Sequence, residues 1–322
     1  MEHHKHKGKF QSNFGFLMAA VGSAVGLGNL WGFPYKMGIG GGFAFLVIYL
    51  AMAICIGYPC MLYEFSIGRK SGKGAIGAYE KIDKKFAFNG WIATIVPFFL
   101  LMFYCCLGGY CIKYLVANLG DLFNASWGVG EVNSAQYFDT FVSDVPQSVI
   151  FTVIFLVLTI LIVVAGVAKG VEKFSVIAMP ALFVMLVITV IRSVTLPGAA
   201  EGLAFMFKPN LEAFTGGNFL KTLALAGGQL FFSLSLASSA LIAYSSYLDK
   251  KENLEKNAFI VPLADTTVAI LAGLATLPAV FSAGLEPTAG PGMLFITLQT
   301  VFQSMGSAGS IFGTIFYLLV FI

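Results

Sequence analysis

Two stretches of this chain hold residues that open a backbone where the surroundings are apolar. The first is Gly22-Ser-Ala-Val-Gly-Leu-Gly-Asn-Leu-Trp-Gly-Phe-Pro34, with four glycines, an asparagine and a proline inside a hydrophobic run. Gly and Pro weaken a helix interior by about 1 and 3 kcal/mol respectively. Opened backbone in lipid finds no water for its N–H and C=O groups. Such a break persists where an ion, a polar substrate or other protein satisfies them, which makes it a candidate binding site. The second stretch is Gly227-Gly-Gln-Leu-Phe-Phe-Ser-Leu-Ser-Leu-Ala-Ser-Ser239, where Gln229 and four serines lie among aromatics. Serine hydroxyls re-satisfy freed backbone groups or reach a ligand. Plainer accounts exist for each alone: a Ser-rich packing face for the second, a helix-association motif for Gly22-x-x-x-Gly26.

The elements that must position these stretches are membrane spans. Of 322 residues, 58% are hydrophobic and 11% charged, and the mean hydropathy is +0.85, outside the soluble range. Apolar runs approach or exceed the roughly 20 residues that cross a bilayer. They cover residues 14–37 (interrupted), 43–67, 91–119, 149–168, 174–194, 219–248, 258–283 and about 307–322. The expectation is eight spans, with the breaks in spans 1 and 6.

Lys and Arg set the orientation. Lys5, Lys7 and Lys9 precede span 1. Six more (Arg69, Lys70, Lys73, Lys81, Lys84, Lys85) follow span 2, Lys169 and Lys173 follow span 4, and Lys250, Lys251 and Lys256 follow span 6. Fourteen of 19 basic residues thus fall on one side, while loop 121–146 carries four acids and no Lys or Arg. Residues 1–12 are expected to be a cytoplasmic basic tail, with residues 13–322 a single transmembrane domain in the cell membrane. The net charge of +3 reflects this topology and implies no nucleic-acid partner. The broken first segment lacks a small-residue cleavage site, so it is not a signal peptide. His3-His4-Lys5-His6 reads as flexible tail rather than as a metal site. Cys55, Cys60, Cys105, Cys106 and Cys111 all fall inside spans and read as small apolar residues.

Breaks in spans 1 and 6 correspond if the chain has two five-span halves, which an odd span number inverts relative to one another. The first repeat is then about 13–196 and the second, incomplete, about 218–322.

The residues resemble the neurotransmitter:sodium symporter family, the sodium-coupled amino-acid and amine transporters of the leucine-transporter fold. The matching text is Gly26-Leu-Gly-Asn-Leu-Trp, Phe33-Pro-Tyr35, the glycine triplet around Gly41, and Glu64-x-x-x-Gly-Arg69. It continues with Lys169-Gly-Val-Glu-Lys173, Ala178-Met-Pro180 and Gly228-Gln-Leu-Phe-Phe-Ser-Leu-Ser235. The likeness runs from about Asn13 to Ile322 and implies an all-α integral membrane protein, an inverted-repeat bundle with helices 1 and 6 broken. It implies a first sodium site from the Ala24 carbonyl, the Asn29 side chain, Ser233 and a span-7 side chain, for which Asp265 is the candidate. A second sodium takes the carbonyls of Gly22 and Val25. The substrate carboxylate meets the N–H groups of Leu27 and Gly28, beside Ala24, and the Tyr104 hydroxyl. The carbonyls of Phe232 and Ser233, with the Ser235 hydroxyl, hold the amine. Leu100, Phe232 and Ser238 line the side-chain pocket, while Glu64 and Gln229 support the broken segments.

The chain departs from the family pattern in places. Gly32 stands where the outer-gate arginine belongs, Asn13 replaces another arginine, and Lys7 and Phe10 replace a cytoplasmic Arg and Trp. Ala237-Ser-Ser239 stands where Gly, a bulky residue and Gly are usual. The resemblance also puts Ile322 inside span 8, so the sequence reads as C-terminally incomplete. The resulting expectation is sodium-coupled symport of an amino-acid-like molecule by alternating access. No bond is broken, so the chain is not an enzyme. The alternative is a transport-inactive relative acting as a binding or regulatory membrane protein.

Overall fold

The computed structural model describes residues 12–164, 166, 171–210, 214, 216–249, 251–287 and 292–321. The basic tail to residue 11, Lys169 and Lys250 lie outside that set. Helix α1 (Asn13–Ala24) is capped by Ser12, whose hydroxyl accepts from the Gly15 N–H. It ends at Val25, whose backbone is extended. A π-turn over Gly28–Gly32 leads into α2 (Phe33–Ile39), and the two halves are bent by 44°. Pro34 sits in the first turn of α2, where its missing N–H costs nothing. The interruption is therefore narrower than the 22–34 stretch and centres on residues 25–27.

Helix α3 (Phe43–Met52) passes through a π-turn, Ala53–Gly57, into α4 (Tyr58–Ser71), which Gly72 ends in the left-handed conformation. Then follow α5 (Ala75–Ile82), α6 (Ala87–Leu122), α7 (Ser134–Ser143), α8 (Val145–Val164), α9 (Lys173–Val194) and α10 (Ala199–Phe207). Helix α11 (Gly216–Ser233) stops at six irregular residues, 234–239, before the short α12 (Ala240–Ser245). The second break thus begins at Leu234: Gly227 to Ser233 remain helical. Helices α13 (Leu254–Ser282), α14 (Gly292–Gln303) and α15 (Gly309–Phe321) complete the described chain, which contains no strand.

Helix α13 runs through the core and packs on α1, α2, α4, α9, α10 and α14. Helix α8 lies outside, buries none of its residues fully, and rests on α6. Close approach there depends on Gly109, where a Cβ would stand 2.6 Å from the Thr152 nitrogen. Among the described residues five helices are long and apolar enough to cross a membrane, and six if the bent pair is one span. This is fewer than the eight runs in the sequence. The turn at 234–239 divides the sixth run, and the eighth is represented by the 13-residue α15. All five cysteines are free.

Candidate functional site

The two breaks meet around one fully buried carboxylate, Asp265 of α13. Asn29, in the π-turn after the first break, donates from Nδ2 to Asp265 Oδ1 at 2.8 Å and to the Asp265 carbonyl at 3.0 Å. Ser233, the last residue of α11, donates from its hydroxyl to both carboxylate oxygens at 2.9 and 3.0 Å. The Tyr49 hydroxyl of α3 donates to Oδ2 at 3.2 Å. Among the described residues no Lys, Arg or His pairs with this carboxylate. Burying a carboxylate costs several kcal/mol unless it is paired and hydrogen-bonded. The three donors supply the hydrogen bonds, and no described cation pairs with the oxygens.

Both breaks are held open by side chains from neighbouring elements. Gln229 Nε2 donates to the Gly28 carbonyl at 2.8 Å. Glu64 of α4 accepts from the Ala237 N–H at 2.7 Å. The Ser235 hydroxyl donates to the Ser23 carbonyl at 3.0 Å, tying one break to the other. Ser238, buried, donates to the Ser235 carbonyl within the same turn. Ser235, Ala237 and Ser239 take φ of 52°, 59° and 65° with no glycine among them.

The first break leaves donors unused. The Asn29 and Leu30 N–H groups return to the Gly26 carbonyl, but those of Leu27 and Gly28 donate to no described backbone carbonyl. These two N–H groups open the C-terminal half of the broken span, the positive end of its dipole. Phe232 covers them closely: a Cβ on Gly28 would lie 3.1 Å from its ring. The Phe232 and Tyr104 rings are 5.9 Å apart, and Leu100 lies one turn before Tyr104 on α6.

The structure therefore brings together Asn29, Ser233 and Asp265, and separately Leu27, Gly28, Tyr104 and Phe232. Ser235 and Ser238 spend their hydroxyl protons on backbone carbonyls. Gly22 borders a cavity of about 170 Å³ with Ala19, Ser23 and Tyr244, while Ala24 and Val25 are buried beside it in sequence. Asn13, one of the departures, accepts from Asn257 Nδ2 at 2.9 Å, a neutral bond between α1 and α13. Tyr49 is the site residue that sequence reasoning missed. A tyrosine in an aromatic-rich span gives no polar signal.

A family model described as the sodium:neurotransmitter symporter family matches residues 7–144 and 134–322. An uncharacterized sodium-dependent transporter of Bacillus subtilis (strain 168), YhdH, is 39% identical over 96% of this chain and 66% of its own length. One of Haemophilus influenzae is 34% identical over 99% of this chain and 70% of its own length. The chain thus spans about two thirds of the length of these relatives. The crystal structure of MhsT in complex with L-phenylalanine matches with a TM-score of 0.89 and 38% identity, covering 98% of this chain and 70% of that one.

Proposed function

Because the chain belongs to the sodium:neurotransmitter symporter family, we propose that it couples transport of an amino acid, or a related small amine-carboxylate, to sodium by alternating access. Asp265 carries this reading. It is a buried carboxylate with hydrogen-bond donors and no described cation, placed where two spans break. A cation completes it, and hard oxygen donors at a break suit Na⁺. The first sodium takes Asp265, Ser233, the Ala24 carbonyl and the Asn29 side chain, whose amide must rotate to do so, because its Oδ1 accepts from the Gly26 N–H at 3.3 Å while Nδ2 faces Asp265. The carbonyls of Gly22 and Val25 offer a second position.

The substrate carboxylate occupies the N–H groups of Leu27 and Gly28 and meets Tyr104. Its amine takes the carbonyls of Phe232 and Ser233 with the Ser235 oxygen, and its side chain faces Leu100, Phe232 and Ser238. Sodium is cargo here and no covalent chemistry is involved. The basic side faces the cytoplasm, with the N-terminus, in the cell membrane.

The test is equilibrium binding of tritiated L-phenylalanine, the amino acid in the MhsT structure, with Na⁺ or K⁺ at equal ionic strength, run in parallel with the other common amino acids as competitors. Sodium-stimulated binding of at least one amino acid is expected, with gradient-driven uptake in proteoliposomes. Binding without uptake supports a sodium-dependent binding protein instead. Equal binding of every amino acid in Na⁺ and K⁺ overturns the reading.

A further inference from the structure

Helix α2 carries a cation that the site described above does not use. Lys36 is half-buried, and its Nζ stands 5.4 Å from the centroid of the Phe232 ring, within cation–π range. No carboxylate or hydrogen-bond acceptor among the described residues meets that ammonium, so the aromatic face is what it touches. Phe232 in turn covers Gly28 and contacts Tyr104. One turn before Lys36, on the same helix face, Gly32 has no side chain at all. A Cβ there would lie 3.0 Å from Gln229 Oε1, a buried oxygen that accepts no hydrogen bond. A donor is missing at position 32, and a cation stands one turn farther along the helix.

We propose that Lys36 holds the lid of the substrate pocket closed: its ammonium, one turn beyond Gly32, keeps the Phe232 ring over a bound substrate. This rests on the substrate site proposed above. Lys36 is a positioning residue, because it acts through Phe232 and not on the substrate. Release of substrate requires the ring to swing away and give up its contact with the ammonium. Lys36 therefore slows release and has little influence on which carboxylate or amine is recognised.

The experiment measures dissociation of an amino acid that shows sodium-stimulated binding, tritiated phenylalanine in the first instance, from the full chain in nanodiscs. Lys36→Gln is expected to speed release roughly tenfold, with association changed by less than about twofold. Lys36→Met, which keeps much of the apolar stem, repeats that result, and Lys36→Arg keeps release slow. In a Phe232→Leu background Lys36→Gln adds nothing, because the ring it acts through is gone. Adding Gly32→Arg to Lys36→Gln restores slow release, since the guanidinium reaches the ring region and gives Gln229 Oε1 its donor. An unchanged release rate in Lys36→Gln and Lys36→Met, or equal acceleration with and without Phe232, overturns the role of Lys36 and leaves the symporter reading intact. Absence of sodium-stimulated binding in the unmutated chain overturns the symporter reading itself, and the lid assignment with it.

Discussion

At Asp265 one carboxylate takes donors from three elements, and each donor has a different consequence when removed. Asn29→Ala deletes the bonds to Oδ1 and to the Asp265 carbonyl. Ser233 still donates to Oδ1, but the Gly26 N–H loses its acceptor, at about 1–3 kcal/mol, and a proposed sodium ligand is removed. Lost sodium stimulation of amino-acid binding is expected, and persisting stimulation in a folded variant rejects Asn29 as a ligand. Tyr49→Phe removes one of two donors to Oδ2, Ser233 keeping the other. It should lower the unfolding temperature and keep the sodium stimulation, which separates a supporting bond from a coordinating one. Tyr104→Phe removes the hydroxyl of the ring that stands 5.9 Å from Phe232. A hydrogen bond to a charged group contributes about 1.5–3 kcal/mol, so the dissociation constant should rise roughly tenfold or more. The comparison uses an amino acid and its decarboxylated amine, and equal weakening of both rules out carboxylate recognition by Tyr104. Asn29 stood out as an asparagine inside the first break, whereas Ser233 and Asp265 were singled out through the family resemblance, and the coordinates bring the three together. Tyr49 was not legible, since Phe33 and Phe45 also surround its ring and make it read as core. Lys36 was equally silent: a single lysine near a span end reads as interfacial until its ring partner is seen.

At the scale of elements, the sequence located both breaks and misjudged their extent. Pro34 and the glycines after Leu27 suggested open chain to residue 34. Yet proline is tolerated in a first helical turn, and a wider π-turn accommodates Gly28–Gly32. In the second break Gly227 and Gly228 stay helical, and the turn falls instead on residues without glycine. Ala237 and Ser239 occupy left-handed φ, which costs a non-glycine residue about 1–2 kcal/mol. The bond from the Ala237 N–H to Glu64 and that from Ser235 to Ser23 hold this strained turn in place. Ala237→Gly should relieve the strain, partly offset by the larger freedom of glycine in the unfolded chain. A net gain of about 0.5–1 kcal/mol is expected, read as a rise of about 2 °C in the unfolding temperature. A fall would mean that the methyl group packs more usefully than the turn is strained. Glu64→Leu should move the other way, because the Ala237 N–H loses its acceptor.

Across the whole molecule, the apolar pattern gave the helical class and the order of the helices, while pairings such as α13 with α9 and α10 needed coordinates. Periodicity is uninformative where a helix is apolar on every side, as α8 is with no fully buried residue. The broken pair α1/α2, α3, α11 and α13 each supply groups to the site, and these elements are far apart in sequence. A ligand that joins them must therefore stabilise the whole bundle rather than one segment. Binding to the folded state alone adds about 2.7 kcal/mol at a hundredfold excess over the dissociation constant. Sodium is expected to raise the unfolding temperature in detergent, a bound amino acid to raise it further, and potassium at equal ionic strength to do neither. Asn29→Ala should abolish the sodium increment, whereas Lys36→Gln should keep it, because Lys36 touches the Phe232 ring and none of the proposed sodium ligands. Equal stabilisation by sodium and potassium would assign the effect to general screening of charge. It would then leave Asp265 with its three donors as the complete arrangement, and a buried carboxylate satisfied by hydrogen bonds alone.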